Sequence, residues 1–126
     1  MKHSEGFLKL VEDAKARIPE VTVEQTRAML KDDPATLLID VREDNEWAAG
    51  HAKGAQHLGK GIIERDIERT VPDKQAHLIL YCGGGYRSAL AADSLLRMGY
   101  EYVYSVAGGW KAWKDAGAPV EGDKGK

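Results

Sequence analysis

The sequence predicts an α/β domain, a small parallel sheet of about four to five strands with helices on both faces, plus an extra N-terminal helix. Two observations predict it. Three apolar runs, "TLLID", "HLILY" and "YVYSV", read as strands buried on both faces. Between them lie longer segments whose apolar residues recur at helical spacing, so strand and helix alternate along the chain. With 126 residues the chain has room for one core and not for two.

Taken in order, residues 4–18 place Phe7, Leu10, Val11, Ala14 and Ile18 on one helical face, and Pro19 ends that helix. "VTVEQTRAML" restarts a helix, with Thr22 and Gln25 at capping-box spacing. A turn at 32–34 leads into the strand Thr36 to Asp40. "REDNEWAAGH" reads as a short helix closed by Gly50, and "AQHL" as a brief strand. Ile62, Ile63 and Ile67 mark a helix that stops near Pro72. His77 to Tyr81 is the clearest strand, and Arg87 to Met98 the clearest helix, with Gly99 as its stop. Tyr102 to Val106 is a further strand, and "GGWKAWKDAG" a last short helix whose Trp110 and Trp113 are expected to pack in the core. The division that follows is an amphipathic extension over 1–20, a main domain over 21–120 and a frayed tail over 121–126.

Composition excludes several functions. A net charge of −2 with 30% charged residues, both signs intermixed, argues against a nucleic-acid partner. No run approaches membrane-spanning length, so no membrane partner is expected. His3, His51, His57 and His77 show no metal-ligand spacing, and the single cysteine allows neither an internal disulfide nor a CxxC site; no metal is expected. The first twenty residues carry acids and lack an unbroken apolar stretch, unlike a leader. A reducing cytoplasm is the expected location, where a lone thiol stays free.

That cysteine, Cys82, stands where a strand ends and a helix begins, in "YCGGGYRSAL". Ligands of parallel sheets gather beyond the carboxyl ends of the strands. Gly83, Gly84 and Gly85 let the chain bend until successive amides face one centre, an anion nest that favours thiolate over thiol. Tyr86, Arg87 and Ser88 continue the loop into the helix; Arg87 adds a cation and Ser88 a hydroxyl. The segment is neither GxxxxGK[ST] nor GxGxxG, so a nucleotide-binding loop is excluded. Its C-x4-R spacing is one residue shorter than the C-x5-R ring of protein phosphatases.

The shorter loop resembles that of the rhodaneses, a sulfurtransferase family. "DVRE" at Asp40 to Glu43, followed by Glu46 and Trp47, resembles the family's D-V-R-x-x-x-E-[FWY] segment. "GHAKGA", Gly50 to Ala55, is similar to G-H-I-P-G-A, with Ala52 and Lys53 in place of an aliphatic residue and proline. "AGGWKAW", Ala107 to Trp113, resembles the C-terminal G-G-x-x-x-W. Together the segments span residues 22–118. The resemblance implies a rhodanese-like fold and a thiosulfate:cyanide-type sulfurtransferase with Cys82 as nucleophile. Its donor would be thiosulfate or a persulfide, and its acceptor cyanide, a thiol or a protein cysteine. The amides of Gly83 to Ser88 would hold the transferred sulfur, with no cofactor.

Asp40, Arg42, Glu46 and His51 are expected to support the site structurally. Arg42 would pair with Glu43 or Glu46, and His51 would be a satisfied loop histidine. Other readings stay open: a persulfide carrier serving a protein partner with weak thiosulfate activity, a non-catalytic binding module, or a phosphatase or arsenate reductase. Oligomeric state is not encoded in any pattern here.

Overall fold

The computed structural model describes residues 2–122. In chain order its elements are α1 (Glu5–Lys15), β1 (Glu20–Val21), α2 (Val23–Asp32), β2 (Leu37–Asp40), α3 (Asp44–Ala49), β3 (His51–Ala52), β4 (Gln56–His57), α4 (Lys60–Thr70), β5 (His77–Tyr81), α5 (Tyr86–Arg97), β6 (Tyr102–Val106), α6 (Gly109–Asp115) and β7 (Val120–Glu121). Five strands form one sheet in the order β1-β6-β5-β2-β4, every pairing parallel. This is the α/β architecture the sequence predicts, with the additional N-terminal helix in place.

Alternation along β5 divides the core. Leu78 and Leu80 face one layer with Ile63 and Ile67 of α4 and Ala89, Ala92 and Leu95 of α5. Ile79 and Tyr81 face the other, with Val21, Val106 and Trp113. Trp113 is buried as expected, and its indole N–H donates to the Pro119 carbonyl at 2.7 Å. Trp110 is only half-buried. The helix α1 lies outside α5, through Val11, Ala14 and a two-pronged contact from Arg17 to the Asp93 carboxylate at 2.8 and 2.7 Å.

Short elements depart from expectation. The second helix starts at Val23, behind a reciprocal cap: Gln25 N–H donates to Thr22 Oγ1 at 3.0 Å and Thr22 N–H to Gln25 Oε1 at 2.8 Å. Val21, read as part of that helix, instead pairs with β6. Glu121, assigned to the tail, pairs with His51 in a separate antiparallel ribbon of β3 and β7, and its carboxylate accepts the Gly54 N–H. The rest of the expected tail, 123–126, lies outside the described residues.

Strand order positions the site. From β2 the chain goes to β4 on one side and then, through α4, crosses back to β5 on the other, so the sheet's direction of growth switches between β2 and β5. Their ends are level, Asp40 opposite Tyr81. In open parallel sheets that switch point is where ligands bind.

Candidate active site

Cys82 is the first residue beyond β5, and strand alternation turns its side chain toward α5. It is buried, at 1% exposure. The backbone then reverses over Gly83–Gly85, and Gly85, at φ +97°, occupies the N-cap position of α5. A side chain there would be strained and would crowd the backbone of Gly108 and Val106. The turn delivers the Gly85 N–H to Cys82 Sγ at 3.1 Å. Ser88, one turn into α5, places Oγ 3.4 Å from the same sulfur and 2.8 Å from Ser105 Oγ on β6. Among the described residues no side chain caps α5, so its first-turn N–H groups can face an anion at the cysteine.

The loop's carbonyls are drawn away from the thiol. Trp110 N–H donates to the Cys82 carbonyl at 2.7 Å and Lys111 N–H to the Gly83 carbonyl at 3.2 Å. The start of α6 thus fixes the loop from behind and leaves its donors on the cysteine side. Gly109 is what permits the approach: at φ +50°, a Cβ would collide with the Cys82 carbonyl.

Arg87 folds over the loop, its Nη2 close enough that a Cβ on Gly83 would lie 3.1 Å away. Its guanidinium is bound by Glu46 in fork geometry, Nη1–Oε1 2.9 Å and Nη2–Oε2 3.2 Å. The Arg87 hydrogen bonds, against partial burial, hold the Glu46 carboxyl below the usual carboxylate range, and a further bond from the Glu43 N–H helps. The cation expected to serve the loop therefore arrives already neutralised.

This corrects the expected partner of Arg42. Glu46 is turned to Arg87 and also accepts the Glu43 N–H at 2.9 Å, while Glu43, the N-cap residue of α3, is exposed. Arg42 instead pairs with Asp40, Nη2–Oδ2 2.8 Å, and donates to the Gly50 carbonyl at 2.7 Å. The physical reason is burial: Asp40 is fully enclosed at the strand end, where an unpaired carboxylate is costly, and Arg42 is the nearest cation along the chain. The other face of the Arg42 guanidinium covers the Trp110 ring, 4.7 Å from its centroid. His51 stacks on Trp47 at 3.4 Å, and its Nδ1–H donates to the Trp47 carbonyl at 3.0 Å. These contacts hold the loops beside the cysteine and do not reach its sulfur.

A cleft of about 510 Å³ opens over the thiol. It is lined by Cys82, Gly84, Tyr86 and Arg87 with the Glu46 that Arg87 binds, and by His3 and Phe7 of the N-terminal segment. Those last two were not among the expected site residues. Phe7 lies in the first turn of α1 and His3 just ahead of its Ser4 N-cap, and only the tertiary docking of α1 brings them to the cysteine.

Residues 22–116 match the rhodanese-like domain, which covers most of the chain. The chain belongs to the rhodanese-like domain family. It is 34% identical over 101 residues to the thiosulfate sulfurtransferase GlpE of Vibrio cholerae, covering 80% of this chain and 92% of that one. Among solved structures it is similar to a polysulfide-sulfur transferase homodimer from Wolinella succinogenes (28% identity, 92% of this chain and 87% of that chain, TM-score 0.80). It is also similar to a Rhodopseudomonas palustris protein of unknown function, described as a possible tyrosine phosphatase (28%, 96% and 98%, TM-score 0.79). Among the described residues of this rhodanese-like chain, no helix is long and apolar enough to cross a membrane.

Proposed function

We propose that this rhodanese-type sulfurtransferase moves a sulfane sulfur through a persulfide on Cys82. The Cys82 thiolate attacks the outer sulfur of thiosulfate or of a persulfide donor; the donor's S–S bond breaks, and sulfite or a thiolate leaves. The terminal sulfur of Cys82–S–S⁻ then occupies the centre faced by the loop amides. An acceptor, cyanide or a thiolate, attacks that sulfur and the Cys82 thiolate departs, which is a ping-pong cycle. The observation that carries this reading is the Gly85 N–H on Sγ at the head of an uncapped helix: preorganised donors where negative charge forms and is relayed. The C-x4-R ring, shorter than a phosphatase ring, favours a single sulfur over a phosphate. A reducing cytoplasm would keep the one thiol available.

A second reading, delivery of the sulfur to a protein cysteine with weak thiosulfate turnover, draws support from the Glu46–Arg87 pair. A neutralised cation gives a dianion little purchase.

Intact mass tests the first reading. Thiosulfate should add one sulfur, roughly 32 Da, lost again on adding a thiol. Cys82→Ser should gain nothing and transfer nothing while melting like the parent, since the exchange is nearly isosteric and a hydroxyl in this nest is a poor nucleophile. Thiosulfate:cyanide activity retained in Cys82→Ser would overturn the assignment.

A further inference from the structure

The cleft over Cys82 is larger than thiosulfate requires; about 510 Å³ lies in the range of pockets that enclose whole organic ligands. Its walls are aromatic. His3 meets Tyr86 edge-to-face at 4.6 Å, Phe7 meets the same ring edge-to-face at 6.2 Å, and His3 and Phe7 lie 5.3 Å apart. Lys15 Nζ, 5.2 Å from the Tyr86 centroid, holds the ring in place with a second contact from α1. The permanently charged groups of the cleft, Glu46 and Arg87, cancel in their two-pronged bond. Binding energy here comes from apolar and aromatic burial rather than from net charge.

His3 and Phe7 lie ahead of residues 22–116, the part of the chain that matches the family domain. The family domain supplies the nucleophile and the nest, and the preceding segment supplies a wall. We propose that His3 and Phe7, with Tyr86, select the sulfur acceptor: they seat the apolar body of a small organic thiol so that its sulfur meets the Cys82 persulfide. This rests on the persulfide reading above. The step is R–S⁻ + Cys82–S–S⁻ → R–S–S⁻ + Cys82–S⁻. The acceptor forms a bond to the terminal sulfur, and the Cys82 S–S bond breaks with its electron pair going to Cys82. The transferred sulfur keeps its negative charge, and no proton is moved and no oxidant consumed.

The test loads Cys82 with thiosulfate, checks the mass gain, and follows discharge to benzyl mercaptan and to 2-mercaptoethanol, two thiols of comparable acidity that differ in an aromatic body. The parent should favour benzyl mercaptan in kcat/KM. His3→Ala and Phe7→Ala should each lower that preference about fivefold, through a raised KM for benzyl mercaptan. Leu10→Ala, on the outward side of α1 at 61% exposure, should keep the parent's preference. Circular dichroism checks folding; if Phe7→Ala does not fold, His3→Ala and Phe7→Leu decide. A parent with no preference, or a preference unchanged in the folded variants, overturns the aromatic seat while leaving the persulfide intact. A parent that never gains sulfur overturns the persulfide reading and the seat with it.

Discussion

Glu46 decides how much of the Arg87 charge the cleft presents. The two groups are 41 positions apart in sequence, and each is about one-third exposed. Glu46→Gln keeps an oxygen for Arg87 and for the Glu43 N–H but removes the opposing charge. The parent should bind thiosulfate weakly, with KM above the ~1 mM upper end usual for enzymes. The glutamine variant should lower that KM about threefold or more, and added salt should erode the gain, because freed attraction between partly exposed charges is screened. Gly84→Lys should act in the same direction: a Cβ at Gly84 meets nothing within 4 Å, so a cation can be added there without strain. Steady-state kinetics at two salt concentrations check both, and unchanged KM values would show that charge does not limit binding. At this scale the cysteine and the glycine turn that leads into α5 were legible in the sequence, because strand end, glycines and arginine are local in the chain. It concealed the partners of Arg42 and Arg87. Those depend on which way side chains turn across the junction of β2 and α3, and no periodicity records that.

Loop and helix are interlocked, and the joint is Gly109. Glycine pairs look like turns in any sequence; that this one admits the Cys82 carbonyl is visible only once α6 sits against the loop. Gly109→Ala combines a positive φ with a backbone collision. It should cost more than ~2 kcal/mol by urea unfolding and lower sulfur transfer as well, because Trp110 and Lys111 would lose the carbonyls they hold. Stability within ~0.5 kcal/mol of the parent would mean the joint is slack. A glycine inserted between Gly84 and Gly85 should instead leave stability nearly unchanged and depress transfer, since longer loops cost little entropy but the amides would no longer converge. Undiminished transfer in that variant would show that ring size is not what suits this loop to sulfur. Elements of four residues or more were legible to within two or three residues, as with Arg87–Met98 found at Tyr86–Arg97 and residues 4–18 found at Glu5–Lys15. The two-residue strands β1, β3 and β7 were not, since two residues carry no period and owe their conformation to the strand beside them.

Across the whole molecule, alternation of strand and helix was enough to foresee a parallel sheet covered on both faces. The amphipathic face of residues 4–18 said that the first helix docks, but not on what; it docks on α5, in register for Arg17 to reach Asp93, and so carries His3 and Phe7 over the cysteine. Asp93 makes that docking sensitive to acid. Its carboxyl is held below the usual range by the Arg17 hydrogen bonds, against burial, with the charges of Arg17 and Arg97 adding to the effect. A carboxyl lowered in the folded state contributes its full stabilisation above the unfolded value, ~3.9, and loses it as pH falls through the lower native value. Asp93→Asn retains an oxygen for Arg17 but cannot titrate. It should melt below the parent at neutral pH, modestly because Arg17 is well exposed, and the two melting curves should converge as pH falls below about 4. Thermal melting by circular dichroism at a series of pH values reads this directly. Curves that stay parallel through that window would show that α1 is held by its apolar contacts through Val11, Ala14 and Ile18 and by the contacts of Phe7 and Lys15 with Tyr86, with the Arg17–Asp93 pair contributing nothing to the position of the wall.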